Sequence, residues 1–175
     1  MIAFLSAPHF LCECELRRSP ELRGSPLLIV SGRKKRSVVL DALPEELARK
    51  FPRGTELRQV LRAPPSEPAL KFRFLDEAGA KKNQRTNQGI QKQLEAWSPV
   101  VRPQPGGSWF IDFTGTQKLF GRTIEAAGRM AAEIGKTWGL SLQVGIGSDP
   151  WNARLAGRWA PADTVLEVDA DHFSE

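Results

Sequence analysis

GGSWFIDFTGTQKLFG, residues 106–121, is the stretch that decides the fold. A glycine turn at 106–107 precedes a short apolar strand at 109–113, and a Thr-Gly exit leads into a helical turn that ends at Gly121. Trp, Phe and Ile side by side bury best in a strand that other layers cover. Asp112 is the only carboxylate of this strand, and we expect it to accept hydrogen bonds from the turn at Thr114 and Gly115.

The composition indicates a globular protein with a basic bias. The 175 residues are 41% hydrophobic and 26% charged, with a formal net charge of +5. This charge favours polyanionic partners, although many basic proteins of this size bind no nucleic acid. No run of about 18 apolar residues occurs, so we expect no membrane span. Cys12 and Cys14 lie in one predicted helix and suit neither a mutual disulfide nor a metal site, which favours a reducing, cytoplasmic setting.

Strands and helices alternate on both sides of the central stretch. Apolar runs and period-two patterns predict strands at residues 1–5, 27–30, 37–40, 69–75, 100–102, 109–113, 140–146 and 164–168. Helical spacing and breakers predict helices at residues 9–18, 44–51, 55–62, 77–97, 123–138 and 150–159, with another beginning at 169. This order predicts an α+β fold of two lobes, divided at a proline-rich crossing over residues 63–68.

Several segments together resemble the palm and fingers of a Y-family, translesion DNA polymerase, most closely of the ImuB type. FLCECE at 10–15, PLLIV at 26–30 and LARKF at 47–51 are similar to the family's first helix and fingers. WFIDFTG at 109–115 followed by LFG at 119–121 is similar to the ImuB signature, and LAGRWA at 155–160 to the last palm helix. The resemblance implies a palm-like part with a mixed sheet (1–9 and 66–175) and a fingers-like part (10–65), with thumb and little finger absent.

The resemblance also implies a two-metal site for phosphoryl transfer, whose carboxylate ligands this sequence lacks. Active family members hold two divalent cations with aspartates and a glutamate. Ser6 and Pro8 stand at the positions of the first two aspartates, and Gly107 and Ser108 at those of the later Asp-Glu pair. Neutral side chains are poor ligands for hard cations. We therefore predict no catalytic residue, no metal and no cofactor, and expect an inactive polymerase homologue that is not an enzyme.

Other positions of the implied nucleotide site also depart from the family. Glu46 replaces the fingers tyrosine and would repel a triphosphate, and Leu11 takes the steric-gate position. The arginine three residues after the tyrosine position is kept as Arg49. A basic turn lies between the second and third strands, where salt-dependent attraction to a DNA backbone is expected. We predict DNA binding by Arg33, Lys34, Lys35, Arg36 and Arg49. A solvated hairpin tip is an equally simple interpretation of the turn.

The resemblance implies a non-catalytic, ImuB-type adaptor in DNA damage tolerance and SOS mutagenesis. Its partners would be a RecA-like companion protein and a replicative-type translesion polymerase, with the sliding clamp and single-stranded or primer-template DNA as further candidates. Trp151, at a helix start, is predicted to be exposed and available to a protein partner, whereas Trp97 and Trp109 are predicted to lie in the core. Two alternatives stay open: a stand-alone DNA-binding module, and a divergent active polymerase with relocated metal ligands.

Overall fold

The computed structural model describes residues 1–34, 36–65 and 68–168. The helix predicted to begin at residue 169 lies outside the described residues. In chain order the elements are β1 (Ile2–Ser6), α1 (Phe10–Arg18), a 3-10 turn (Pro20–Leu22), β2 (Leu27–Val30), β3 (Val39–Leu43), α2 (Glu45–Lys50), α3 (Leu57–Arg62), β4 (Lys71–Phe74), α4 (Glu77–Leu94), β5 (Val101–Gln104), β6 (Ser108–Asp112), α5 (Gln117–Phe120), α6 (Thr123–Trp138), β7 (Gln143–Gly147), α7 (Pro150–Trp159) and β8 (Thr164–Glu167). Contacts divide the chain into two compact units, Met1–Pro8 with Asn87–Glu175, and His9–Thr86.

The first unit is built on a five-stranded sheet of order β5-β6-β1-β7-β8. The central strand β1 pairs antiparallel with β6 and β7, and β8 joins β7 in parallel. Side chains alternate between the two faces of a strand, and one face supplies fully buried residues: Ala3, Leu5, Trp109, Ile111, Val144 and Ile146. On the other face α7 packs so closely that a Cβ at Gly157 would lie 2.8 Å from the Phe4 ring.

The second unit is built on a three-stranded sheet of order β3-β2-β4. All four residues of β2 are buried, because this strand is covered on both faces. Leu28 and Val30 belong to one apolar cluster, with residues of β3, α2 and α3. Leu27 and Ile29 belong to a second cluster with Cys12 and Leu22. The period-two alternation of β2 therefore divides its side chains between two cores.

The predicted α+β fold is confirmed, and every predicted strand and helix within the described residues is present with ends shifted by a few residues. The predicted division of the chain differs from the observed units mainly at residues 68–86. Here β4 forms a parallel ladder with β2, so this strand belongs to the smaller sheet. None of the helices in the described part of the chain combines the length and the apolar character that a bilayer crossing requires.

Candidate functional site

The strand ends of the larger sheet bring three of the four implied metal-ligand positions together. Ser6 at the end of β1 is the register partner of Ser108 at the start of β6. The backbone N–H of Ala7 donates to the carbonyl of Gly107 at 2.9 Å, which holds the glycine turn beside β1. Ser108 is buried, and its hydroxyl donates to the carbonyl of Pro105 at 3.2 Å. Ser6, Gly107 and Ser108 therefore lie together at one end of the sheet.

The side chains across this end of the sheet are polar and uncharged. Gln104 of β5 pairs with Ser108, and Gln143 of β7 pairs with Ser6 on the other side of β1. Residues directly opposite each other in antiparallel strands project to the same face. Gln104, Ser108, Ser6 and Gln143 therefore form one row, which we call the strand-end row. Its two glutamines were not predicted, because strand register depends on pairing between distant segments.

Arg154 of α7 places a cation beside the strand-end row. Its guanidinium donates to Gln104 Oε1 at 3.0 Å and lies over the rings of Phe110 and Phe4, at 5.0 and 5.4 Å from their centres. These contacts hold a positive charge on the same face as the row. Sequence reasoning did not single out Arg154, since only the tertiary structure brings α7 over β1 and β6.

The strand-end row does not fit a pair of divalent cations. Magnesium binds through carboxylates, with water and substrate phosphates completing its shell, whereas the row offers two hydroxyls and two amides. The Arg154 guanidinium adds a positive charge close by. Throughout residues 1–34, 36–65 and 68–168, no group of three or more His, Cys, Asp or Glu side chains is placed to hold a metal ion. No step of a metal-dependent reaction can be derived from these side chains.

Asp112 has the structural role that its position predicts. Its Oδ1 accepts a hydrogen bond from the backbone N–H of Thr114 at 2.8 Å, and its backbone carbonyl accepts from the Ser98 hydroxyl. The hydrogen bonds from Thr114 lower the pKa of the Asp112 carboxyl, because they favour its charged form. Asp112 thus stabilises the turn that follows β6.

The predicted DNA-binding residues occupy two elements of the smaller unit. Arg33, Lys34 and Arg36 are exposed in the turn between β2 and β3, while Lys35 lies outside the described residues. The Arg33 guanidinium lies 5.3 Å from the centre of the Phe74 ring. Arg49 is exposed on α2, where its Nε is 3.5 Å from Glu45 Oε1. The turn therefore presents a group of cations, and Arg49 belongs to a separate, ion-paired site.

His9, which no motif of the sequence singles out, has two carboxylate partners. His9 Nδ1 is 3.3 Å from Asp41 Oδ1, and its Nε2 is 2.9 Å from Glu45 Oε2. Asp41 Oδ2 also accepts from the backbone N–H of Cys12 at 3.0 Å. The hydrogen bond with Asp41 raises the pKa of His9 against the opposing effect of burial. This cluster joins the start of α1 to β3 and α2.

Two of the five tryptophans stand out by their exposure. The prediction that Trp151 is exposed is confirmed, with 74% of its surface accessible, and Trp159 was missed although 77% of it is accessible. Trp109 lies in the core as predicted, fully buried. Trp97 is half-buried, with its ring centre 5.0 Å from that of Phe120.

Comparison with known proteins places the chain in a polymerase family. Residues 5–158 match the model of the impB/mucB/samB family. The chain is 28% identical over 156 residues to DNA polymerase IV of Caulobacter vibrioides, covering 89% of the chain and 37% of that protein. It is 29% identical over 152 residues to DNA polymerase IV of Clostridium kluyveri, covering 85% of the chain and 36% of that protein.

Solved structures agree on the fold. DinB from Sulfolobus solfataricus superposes with a TM-score of 0.82 at 15% identity, over 98% of the chain and 49% of that structure. An insertion ternary complex of Dbh DNA polymerase gives a TM-score of 0.81 at 17% identity, over 97% of the chain and 49% of that structure.

The fold is that of the palm and fingers of a Y-family DNA polymerase. The chain belongs to the impB/mucB/samB family, and with it to the Y-family polymerases of DNA damage tolerance. It spans a little over a third of the length of the curated relatives named above.

The prediction that the chain is not an enzyme is wrong. Its curated relatives are named DNA polymerase IV, so the family to which it belongs is one of polymerases. The mistaken prediction came from four positions, Ser6, Pro8, Gly107 and Ser108, whereas the similarity extends over residues 5–158.

Proposed function

We propose that this chain acts in translesion DNA synthesis as a palm-and-fingers module of the ImuB type, which binds DNA and bridges partner proteins. The observation that carries the proposal is the strand-end row. A polymerase-family sheet here presents Gln104, Ser108, Ser6 and Gln143 with the cation Arg154 beside them. An uncharged surface with an arginine suits hydrogen bonds to phosphate oxygens, which supports binding of nucleic acid on this face.

The basic turn between β2 and β3 supplies a second contribution to DNA binding. Arg33, Lys34 and Arg36 are exposed, and the Arg33 guanidinium over Phe74 holds one charge in a defined place. Such cations attract a phosphate backbone without reading its sequence. Arg49 remains a predicted fifth contact, for which DNA would have to compete with Glu45.

Fluorescence anisotropy with single-stranded and primer-template oligonucleotides tests the DNA-binding part. The variant with Arg33, Lys34, Lys35 and Arg36 all changed to Ala should bind more weakly. On single strands, the slope of log affinity against log salt concentration should become less steep by about 2.8, because each of four phosphate contacts contributes about 0.7. The matched control changes Lys81, Lys82, Arg85 and Lys92 of α4 to Ala, which removes the same net charge. Equal losses in the two variants would contradict a specific role for the turn.

The partners named by the resemblance are a RecA-like companion protein, a replicative-type translesion polymerase and the sliding clamp. Size-exclusion chromatography of the chain with each purified candidate, and with pairs of them, tests the bridging part. We expect a complex in which the chain holds the companion and the polymerase together. Elution of the chain alone from every mixture would refute the bridging role and leave the DNA-binding result standing.

A second candidate function is DNA synthesis by the chain itself, which the polymerase names of its relatives favour. The strand-end row lacks carboxylates, so any metal ligands would lie elsewhere. Primer extension with magnesium or manganese tests this function. Extension that survives Ser6→Ala and Ser108→Ala together would support relocated ligands, and no extension with either metal would count against synthesis by the chain.

A further inference from the structure

The outer face of α7 carries an exposed apolar stripe. Trp151, Leu155 and Trp159 are spaced four residues apart, which places them on one side of a helix. The opposite side is buried through Ala153, Ala156 and Gly157. Trp151 and Trp159 keep 74% and 77% of their surface accessible, while Leu155 between them is half-buried. The α7 stripe, by which we mean Trp151, Leu155 and Trp159, therefore leaves most of the surface of its two tryptophans accessible.

The exposed area of the α7 stripe is in the range that is typical of a binding surface. Three quarters of two tryptophan side chains amounts to roughly 350 Å² of accessible surface. The largest apolar patch on a typical monomer measures about 300–600 Å² and is often functional. The two tryptophans are eight positions apart on the helix, which corresponds to a rise of about 12 Å. This length matches two turns of a partner helix laid along α7.

One flank of the stripe is cationic. Arg154 and Arg158 are four residues apart on α7, and Arg158 is exposed. Arg154 lies on the side of α7 that faces β1 and β6, as its contacts with Phe4 and Phe110 show. Arg102 of β5 is exposed on the same sheet. An occupant of the stripe would therefore meet positive charge along that flank and gain from carrying acidic residues there.

These observations select among the possible occupants. An antiparallel two-fold pairing of α7 with a second copy would bring the Arg154 and Arg158 flanks together, and the like charges would repel. A nucleic acid would gain little from Leu155, which cannot stack on a base as an aromatic ring does, and it would meet the carboxylate of Asp149 at one end. An amphipathic helix could place an apolar stripe on Trp151, Leu155 and Trp159 and an acidic flank beside Arg154 and Arg158.

We propose that the α7 stripe is a docking surface for an amphipathic, acidic helix of a partner protein. The inference rests on the proposed bridging function and names the surface of the chain that would perform it. Trp and Arg are the residue types that most often dominate interface energetics. The stripe supplies two tryptophans, and its flank supplies two arginines.

The probe is a synthetic peptide of about 18 residues, long enough to form a helix, with a leucine stripe and glutamate flanks. Calorimetry measures its binding to the full chain, and the indole N–H resonances of the ¹⁵N-labelled chain report its position. We expect the Trp151 and Trp159 resonances to shift while that of the buried Trp109 stays in place. A peptide with lysine in place of glutamate should bind at least tenfold more weakly.

Two sets of variants locate the contact. Trp151→Ala with Trp159→Ala should weaken binding of the glutamate peptide at least tenfold. Leu119→Ala, which removes an equally exposed apolar side chain elsewhere in the same unit, should leave binding unchanged. Arg154→Gln with Arg158→Gln should weaken binding and reduce its dependence on salt.

The same variants distinguish failure of this inference from failure of the proposed function. Complexes with the companion or the polymerase that form unchanged with Trp151→Ala and Trp159→Ala would overturn the docking surface but not the bridging role. Equal binding of the lysine peptide would overturn the acidic partner. Tryptophan shifts produced by an oligothymidylate of about 12 nucleotides would assign the stripe to nucleic acid, and dimerisation abolished by the tryptophan variants would assign it to a second copy.

Discussion

Replacing Gly145 by alanine tests the close approach that sets the position of α7. Gly145 lies in β7, and a Cβ built on it would be 2.0 Å from the backbone N of Gly157 and 2.2 Å from the backbone O of Ala153. Ordinary van der Waals contact of a Cβ begins near 3.4 Å. Because backbone atoms cannot rotate aside as a flexible side chain can, α7 would have to move away by about 1.4 Å, in an interior packed with few voids.

The energetic cost follows from what that movement separates. Ala153 and Ala156 are buried where α7 meets the sheet, and both would lose close contacts. Extra methyl groups in well-packed cores cost about 1–3 kcal/mol. Three backbone atoms of α7 lie within 2.6 Å of the new Cβ, so we expect the upper end of this range. Gly145→Ala should lower the free energy of unfolding by about 3 kcal/mol.

Urea denaturation followed by far-ultraviolet circular dichroism measures the change, with Gly128→Ala as the matched control. A Cβ at Gly128 would meet only Val165 Cγ2, at 3.7 Å, and α6 should gain about 1 kcal/mol because alanine favours a helix over glycine. The two variants make the same chemical change in the same unit. Gly145→Ala with wild-type stability, or a comparable loss in Gly128→Ala, would refute the assigned packing of α7 against β7.

Two further predictions concern charged groups. The carboxylates of Asp41 and Glu45 favour the protonated form of His9 in the folded state. The contribution of this cluster to the free energy of unfolding should therefore be complete below pH 6.5. It should be lost as the pH rises through the raised pKa of His9. Unfolding free energies from urea titrations should show this decrease in the wild type and not in His9→Gln; an unchanged profile would contradict it. Asp149 caps α7, because its Oδ1 accepts hydrogen bonds from the backbone N–H groups of Asn152 and Trp151. These hydrogen bonds lower the pKa of the Asp149 carboxyl. The stability that this cap contributes should therefore be present at neutral pH and be lost as the pH falls through that lowered pKa. The Asp149→Ala variant should have a lower melting temperature than the wild type at pH 7, and the difference should be smaller in strong acid.

Local signals in the sequence were enough to predict most elements. The helix α6 was predicted with both its ends, because its apolar residues recur at helical spacing and Gly139 ends it in the left-handed conformation, at φ 62. The start of α7 was predicted from Pro150, which is tolerated in the first helical turn. The strand β6 was predicted one residue late, because the polar Ser108 belongs to the strand but not to the apolar run that predicts it.

The functional interpretation was less reliable, because it depended on what the missing carboxylates mean. Ser6, Gly107 and Ser108, three of the four positions that the resemblance implies as metal ligands, lie together at the strand ends of the larger sheet. The conclusion that the chain is not an enzyme was contradicted by its polymerase relatives. Substitution at a few site positions is a local property, whereas membership of a family is supported by the whole of residues 5–158.

By itself, the sequence determined which segments form strands and helices, that the fold is α+β, and which residues stand at the implied metal-ligand positions. These properties depend on short-range periodicity, on turn chemistry and on motif order, all of which lie within a few neighbouring residues. Only the tertiary structure decided the strand-end row, the place of Arg154 above Phe4 and Phe110, and the outward direction of Trp159. The physical reason is that strand register and helix packing join residues far apart in the chain, and no local pattern specifies which of them will meet.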